Sequence, residues 1–147
     1  MGGYVSKEEQ NKLKAPFAGL VYGQIIYWGV MLGSVIVMIG SIISFVTRDN
    51  YVPVSYWLST VWKGESPIEI WKGITGSLPM GHWYFSHLMT GDGMTAFGIS
   101  LSVFSVVPAL FLSSAVLFKE GDKLYGTLAL IAGLIVLTGV LGLIHVG

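Results

Sequence analysis

The sequence predicts an all-α integral membrane protein with three transmembrane helices and a short external interfacial helical segment, and three observations predict it. Apolar residues make up 53% of the 147-residue chain and charged residues only 11%, too little polar surface for a water-soluble domain of this size. Mean hydropathy is +0.71. The charges sit between three long runs that contain no Asp, Glu, Lys or Arg, each long enough to cross a hydrocarbon core of about 30 Å. Zero net charge and the lack of any basic block argue against nucleic-acid binding. Without cysteine there is no route to disulfides, thiolate zinc sites or cysteine-held iron–sulfur clusters.

Residues 1–16 form a polar tail in which Lys7, Lys12 and Lys14 face Glu8 and Glu9. The first span, 17–47, has Gln24 as its one strongly polar side chain. Gly19-x-x-x-Gly23 and Gly29-x-x-x-Gly33 put small residues on one face, where another helix backbone can approach closely. Arg48-Asp49-Asn50 ends that helix and opens an external segment, 48–92, that mixes Trp, Tyr and aliphatic residues with scattered charge. Within it Ser66-Pro67-Ile68-Glu69 carries a helix start, with Ser as N-cap, Pro in the first turn and Glu placed to close a capping box. Ile68, Trp71, Ile74 and Leu78 recur at helical spacing, giving a short amphipathic helix. Trp57, Trp62 and Trp71 read as aromatic-belt anchors.

The second span, 93–118, is expected to start from Asp92 as its cap and to kink at Pro108. A turn, 119–123, leads to the third span, 124–147, in which Gly126 and Gly133 begin a packing face continued by Gly139 and Gly142. Lysines 7, 12, 14, 119 and 123 fall on one side of the membrane, against Arg48, Lys63 and Lys72 on the other. The positive-inside bias then places the N-terminus in the cytoplasm and the C-terminus outside, in a multi-pass protein of the cell (inner) membrane.

Candidate chemistry gathers in Met80 to Met94, which holds two of the three histidines. His82, Trp83, Tyr84, His87 and Asp92 offer proton-accepting groups beside aromatic surface, the requirements of a quinone headgroup at a lipid-accessible slot. His145 shares the leaflet, which raises a b-type haem held by two histidines. Reflecting the hairpin about Gly121 sets His145 level with Phe97, about 15 Å deeper than His87. A haem iron would then need a ligand from a partner subunit, or the His87 segment would have to fold back inward at Gly91 and Gly93. Copper held by Met80, His82, His87, Met89 and Met94 is a further reading. Against all of these stands a structural role, with Asp92 capping, the aromatics anchoring and the histidines bonding nearby backbone.

Gly98-Ile-Ser-Leu, Pro108, the turn Phe118-Lys-Glu-Gly-Asp122-Lys-Leu-Tyr125 and the aliphatic last helix resemble a family of small three-helix prokaryotic integral membrane proteins carrying a domain of unknown function. The likeness runs from about Val21 to Ile144. It implies a fold and a prokaryotic membrane, and no activity. With no charge buried along the spans and no phosphate loop, nucleophile elbow or metalloprotease motif, the chain is not expected to catalyse a reaction alone. The expected function is a small subunit of a larger membrane complex, of the respiratory or electron-transfer kind. It would border a quinone or haem shared with a partner subunit. The alternative is a non-redox scaffold, homo-oligomeric or accessory to a transport system.

Overall fold

The structure is a computed structural model that describes residues 16–79 and 81–142, and among these all regular structure is helical. From Phe17 no Pro, Asp or Asn interrupts the run, and it forms a single helix, α1, Phe17–Val46. Its 30 residues rise through about 45 Å, well beyond the apolar thickness of a bilayer. Past the C-cap Thr47, Arg48 adopts a left-handed φ of 56°, a conformation that costs a side-chain-bearing residue about 1–2 kcal/mol. Contacts across the loop hold it there. The Asp49 carbonyl accepts from the Gly91 N–H at 2.8 Å, and the Tyr51 and Val52 N–H groups each donate to the Asp92 carboxylate at 2.9 Å.

Two short helices follow, α2, Val54–Trp62, and α3, Pro67–Thr75. The Ser66 box closes in both directions, its hydroxyl accepting from the Glu69 N–H and its own N–H donating to the Glu69 carboxylate. Gly76 stops α3 in the left-handed region. The Tyr56 hydroxyl donates to the Ile70 carbonyl at 3.4 Å, and the ring passes over Gly73, where a Cβ would collide with that hydroxyl. A single interfacial helix is the sequence expectation, so α2 is an addition. Its signal is Val54, Trp57, Leu58 and Val61 at helical spacing after Pro53.

A 3-10 turn, Trp83–His87, leads to α4, Gly91–Phe104, then α5, Val106–Glu120, and α6, Lys123–Val140. α4 and α5 form one apolar 30-residue segment, Gly91–Glu120. It is interrupted at Ser105 because Pro108 has no N–H for the Phe104 carbonyl and its ring crowds that turn. The helix bounds differ from the expected spans by one or two residues at most ends, and by seven at the last, where residues 143–147 lie outside the described ones. The second span begins at Gly91 rather than 93, since Thr90 is the N-cap, its hydroxyl accepting from the Gly93 N–H at 3.2 Å. The third ends at Val140, because Gly142 takes φ 66° just beyond the C-cap Leu141 and stops the helix. Three segments, α1, α4–α5 and α6, are long and apolar enough to cross a membrane.

The central α4–α5 segment packs against α1 along its length, while α6 packs chiefly on α5. Close approach to α1 depends on small residues. A Cβ on Gly98 would stand 2.7 Å from the Gly33 carbonyl oxygen, and one on Gly40 2.7 Å from the Thr95 nitrogen. Gly29 meets Ser105 and Gly33 meets Ser102, each too closely for a methyl. Gly19 and Gly23, at the same spacing, have nothing within 4 Å of where a methyl would stand; no described residue packs there. Gly126 lies under the Phe118 ring and Gly133 against Leu110 and Phe111. Two neighbouring serines tie the bundle: the Ser113 hydroxyl donates to the Ala18 carbonyl of α1 at 3.1 Å, and that of Ser114 to the Gly126 carbonyl of α6 at 2.7 Å. Such interhelical bonds contribute about 0.6 kcal/mol each in an apolar medium.

Candidate functional site

The 3-10 turn folds back along the helix it precedes. Gly93 makes this possible, since a Cβ there would lie 2.7 Å from the His87 carbonyl carbon. The chain before His87 thus runs down the side of α4, setting the Tyr84 and Phe85 rings 6.3 and 5.8 Å from that of Phe97. Phe97 is six residues past Gly91, about 9 Å along the helix. The inward fold that the sequence leaves as an exception is therefore the arrangement found. It brings His82, Tyr84 and Phe85 to an apolar slot of about 290 Å³, completed by Phe97, Ser100, Leu101 and Phe104 of α4 and by Val140 and Leu141 at the end of α6.

Within the slot His82 and Tyr84 form one polar unit, Nδ1 and the phenol oxygen standing 2.7 Å apart. Tyr84 is 8% exposed and His82 lies open. If the phenol donates to Nδ1, Nε2–H is left as a donor; in the other tautomer Nδ1–H donates to the phenol oxygen and Nε2 accepts. The pair can therefore give or take a hydrogen bond at Nε2 with no change of position. Slots of this size, apolar with a few placed polar groups, sit at the small end of ligand sites.

The other sequence candidates lie elsewhere. Trp83 and His87 join a second aromatic group with Tyr51, whose ring is 5.6 Å from Trp83 and 3.8 Å from His87. His87 Nδ1 donates to the Trp83 carbonyl at 3.2 Å, which leaves Nε2 as its acceptor. Trp71 meets Trp83 edge-on at 5.4 Å and Trp57 meets Trp71 at 5.8 Å. Two of the tryptophans read as belt anchors are thus packed into this group, and Trp62, 86% exposed, stands alone. Asp92 is not the N-cap residue and does not line the slot: its carboxylate accepts from the Tyr51 and Val52 N–H groups of the loop after α1 and from the Gly93 N–H in the first turn of α4, all at 2.9 Å. It is a strap between the two spans.

His145 and Met80 lie outside the described residues. His82 turns to Tyr84 and Phe85 while His87 is taken up by Tyr51 and Trp83, so these two do not converge as a pair of axial haem ligands. Among the described residues no three of His, Asp or Glu come together to hold a metal ion. Sequence reasoning missed the α4 wall of the slot. Phe97, Leu101 and Phe104 stand at i, i+4 and i+7 with Ser100 between them, a face readable only once the fold-back supplies its partner.

No solved structure matches the chain. A protein of Archaeoglobus fulgidus described only as uncharacterized is 28% identical over 127 residues, covering 84% of this chain and 82% of the relative. A family model matches residues 18–143, from the second residue of α1 to beyond the end of α6. The chain belongs to that uncharacterised protein family.

Proposed function

We propose that this chain is a small integral-membrane subunit of an electron-transfer complex, and that its slot borders a quinone. The observation that carries the reading is the His82–Tyr84 pair at one side of an otherwise apolar pocket between the 3-10 turn, α4 and the end of α6. A quinone supplies two-electron, two-proton chemistry on a ring that dissolves in lipid. The residues present fit such a ring. His82 Nε2 can meet a ring oxygen as donor or acceptor, Tyr84 orients the imidazole through Nδ1 in either tautomer, and Phe97 and Phe104 offer flat apolar surface. His82 is exposed, so a proton at Nε2 can reach water. The chain has no cysteine for an iron–sulfur cluster, and the electrons would pass to a haem or cluster on a partner subunit. The distribution of lysine and arginine supports placing this end of the bundle outside the cell membrane.

The test is an oxidised and dithionite-reduced absorption spectrum of the mildly solubilised native complex, with extractable quinone measured in the same sample. Quinone should co-purify, and His82→Leu and Tyr84→Phe should each reduce its retention and slow turnover while the subunits still assemble. A colourless, quinone-free complex ends the redox reading. The second reading, a scaffold or transport accessory, is favoured by one observation. α6 packs chiefly on α5 and leaves Leu124, Leu128, Ile131 and Ile135 exposed along its length. For a scaffold, the His82→Leu variant should assemble and work as the parent does.

A further inference from the structure

A second site stands where α1 ends and α2 begins. A groove of about 510 Å³ opens there, with Phe45, Val54 and Leu58 as apolar wall and Ser44, Arg48 and Ser55 among its polar lining. Its floor is built rather than incidental. The Asn50 amide donates to the Ser44 carbonyl at 3.2 Å, and the Asp92 strap fixes the two residues after it. The Asn50 Oδ1 is buried beneath the groove and without a partner among the described residues; as an acceptor closed to solvent it leaves the anion contacts to Arg48 and the first turn of α2. Arg48 is exposed on this groove and held in the left-handed region at φ 56°, where glycine or asparagine is the easier choice. The first turn of α2 adds N–H groups of Val54 and Ser55 that have no intrahelical acceptor, since Pro53 at the N-cap carries no capping side chain.

We infer that this groove binds the headgroup of an anionic glycerophospholipid. The guanidinium matches a phosphodiester in charge and fork geometry. α1 is about 45 Å long against an apolar thickness of about 30 Å, so its end at Val46 reaches headgroup depth. Phe45, Val54 and Leu58 then face the upper carbons of an acyl chain, at 77%, 40% and 56% exposure. A soluble anion would gain nothing from that wall. Charge and apolar surface together select a lipid rather than a free phosphate.

The test titrates the full chain in detergent with phosphatidylglycerol and, separately, phosphatidylcholine, reading retained lipid by native mass spectrometry. The decisive variant is Arg48→Gly, with Arg48→Asn beside it, because both residues accept φ 56° and the fold survives the loss of the charge. Each should hold phosphatidylglycerol about tenfold more weakly than the parent, the equivalent of one charge-assisted hydrogen bond, with no fall in the thermal midpoint. Lys63→Gln, which removes an equal charge at the end of α2 outside the groove, should bind as the parent does. Equal retention of the two lipids would overturn the assignment, as would an unchanged Arg48→Gly or an equal loss in Lys63→Gln. Displacement by glycerol phosphate, which has no acyl chain, would overturn the lipid in favour of a soluble anion.

Discussion

Replacing Asp92 separates a structural strap from a ligand-binding carboxylate, and the geometry sets the size of the effect. Oδ1 accepts from Tyr51 and Gly93, and Oδ2 from Val52. Bonds to a charged acceptor contribute about 1.5–3 kcal/mol each. The Gly93 N–H keeps the Thr90 hydroxyl at 3.2 Å if the carboxylate is lost, so two bonds rather than three are left unreplaced. Val52 is 2% exposed, and its N–H has little access to water as a substitute. Asp92→Ala should therefore cost about 3–6 kcal/mol. Asp92→Asn retains one oxygen and turns an amide N–H toward one of the three donors, at a cost of about 1–3 kcal/mol. The assay is thermal unfolding in detergent together with hydrogen exchange at the Tyr51 and Val52 amides. At that cost the amide that faces the new N–H should exchange at least about fivefold faster in Asp92→Asn, since each 1.4 kcal/mol is a factor of about ten. If both stay protected and the midpoint holds while quinone retention falls, Asp92 is a ligand group and not a strap.

The remaining predictions concern the helix crossing and the interfacial helix. Gly98→Val must push α1 away from α4, because its Cβ would stand 2.7 Å from the Gly33 carbonyl oxygen and 2.9 Å from the Val37 nitrogen; overpacking of this kind costs about 1–3 kcal/mol or more. Gly23→Ala, with nothing within 4 Å, should leave the midpoint unchanged or raise it by helix propensity, and a drop as large as that of Gly98→Val would refute the packing assigned to α1. In α3 the Glu69 carboxyl is held below its ordinary range, first by the Ser66 N–H and then by the Ser66 hydroxyl. A folded pKa below the unfolded one stabilises the helix start above the ordinary carboxylate range, and that contribution fades as pH falls through the folded value. Amides in the first turn of α3 should accordingly lose protection, measured against the intrinsic exchange rate at each pH, on acidification through that range, and in Glu69→Gln that loss should be absent; an identical loss in the two proteins would place its cause elsewhere.

The spans were legible because their signal is one of exclusion, runs with no charge at all, and it survives any tertiary arrangement. The Ser66 capping box was legible for the same local reason, as all its partners lie within four residues. What depends on partners distant in sequence was not. Asp92 has the composition of an N-cap, and only the fold shows that two of the three N–H groups it serves lie 40 and 41 residues earlier while Thr90 is the N-cap. Gly19-x-x-x-Gly23 and Gly29-x-x-x-Gly33 are identical as patterns. They differ because Gly98, Ser102 and Ser105 stand opposite the second pair and no described residue stands opposite the first. The site divided along the same line. His82 and Tyr84, singled out by their chemistry, both line the slot, whereas their neighbours Trp83 and His87 turn to a different aromatic group, a partition set by the 3-10 geometry of five residues.

Helix lengths explain why a slot exists at all. α6 has 18 residues, about 27 Å, against the 30 of the central segment. Both start from the same tight turn at Gly121, so α6 stops at Val140 opposite the Leu101–Phe104 turn of α4 and, among the described residues, does not reach the rest of that face of α4. The chain fills part of the gap by folding Tyr84 and Phe85 back against Phe97, and the slot is the part left unfilled. Its two edges are thus fixed by glycines that line none of it. Gly142 ends α6 in the left-handed region, and Gly93 admits the His87 carbonyl against α4. The position of His82 relative to the apolar wall therefore follows from where two helices stop and start. A longer α6 or a bulkier residue at 93 would remove the site while leaving its histidine and tyrosine in the sequence.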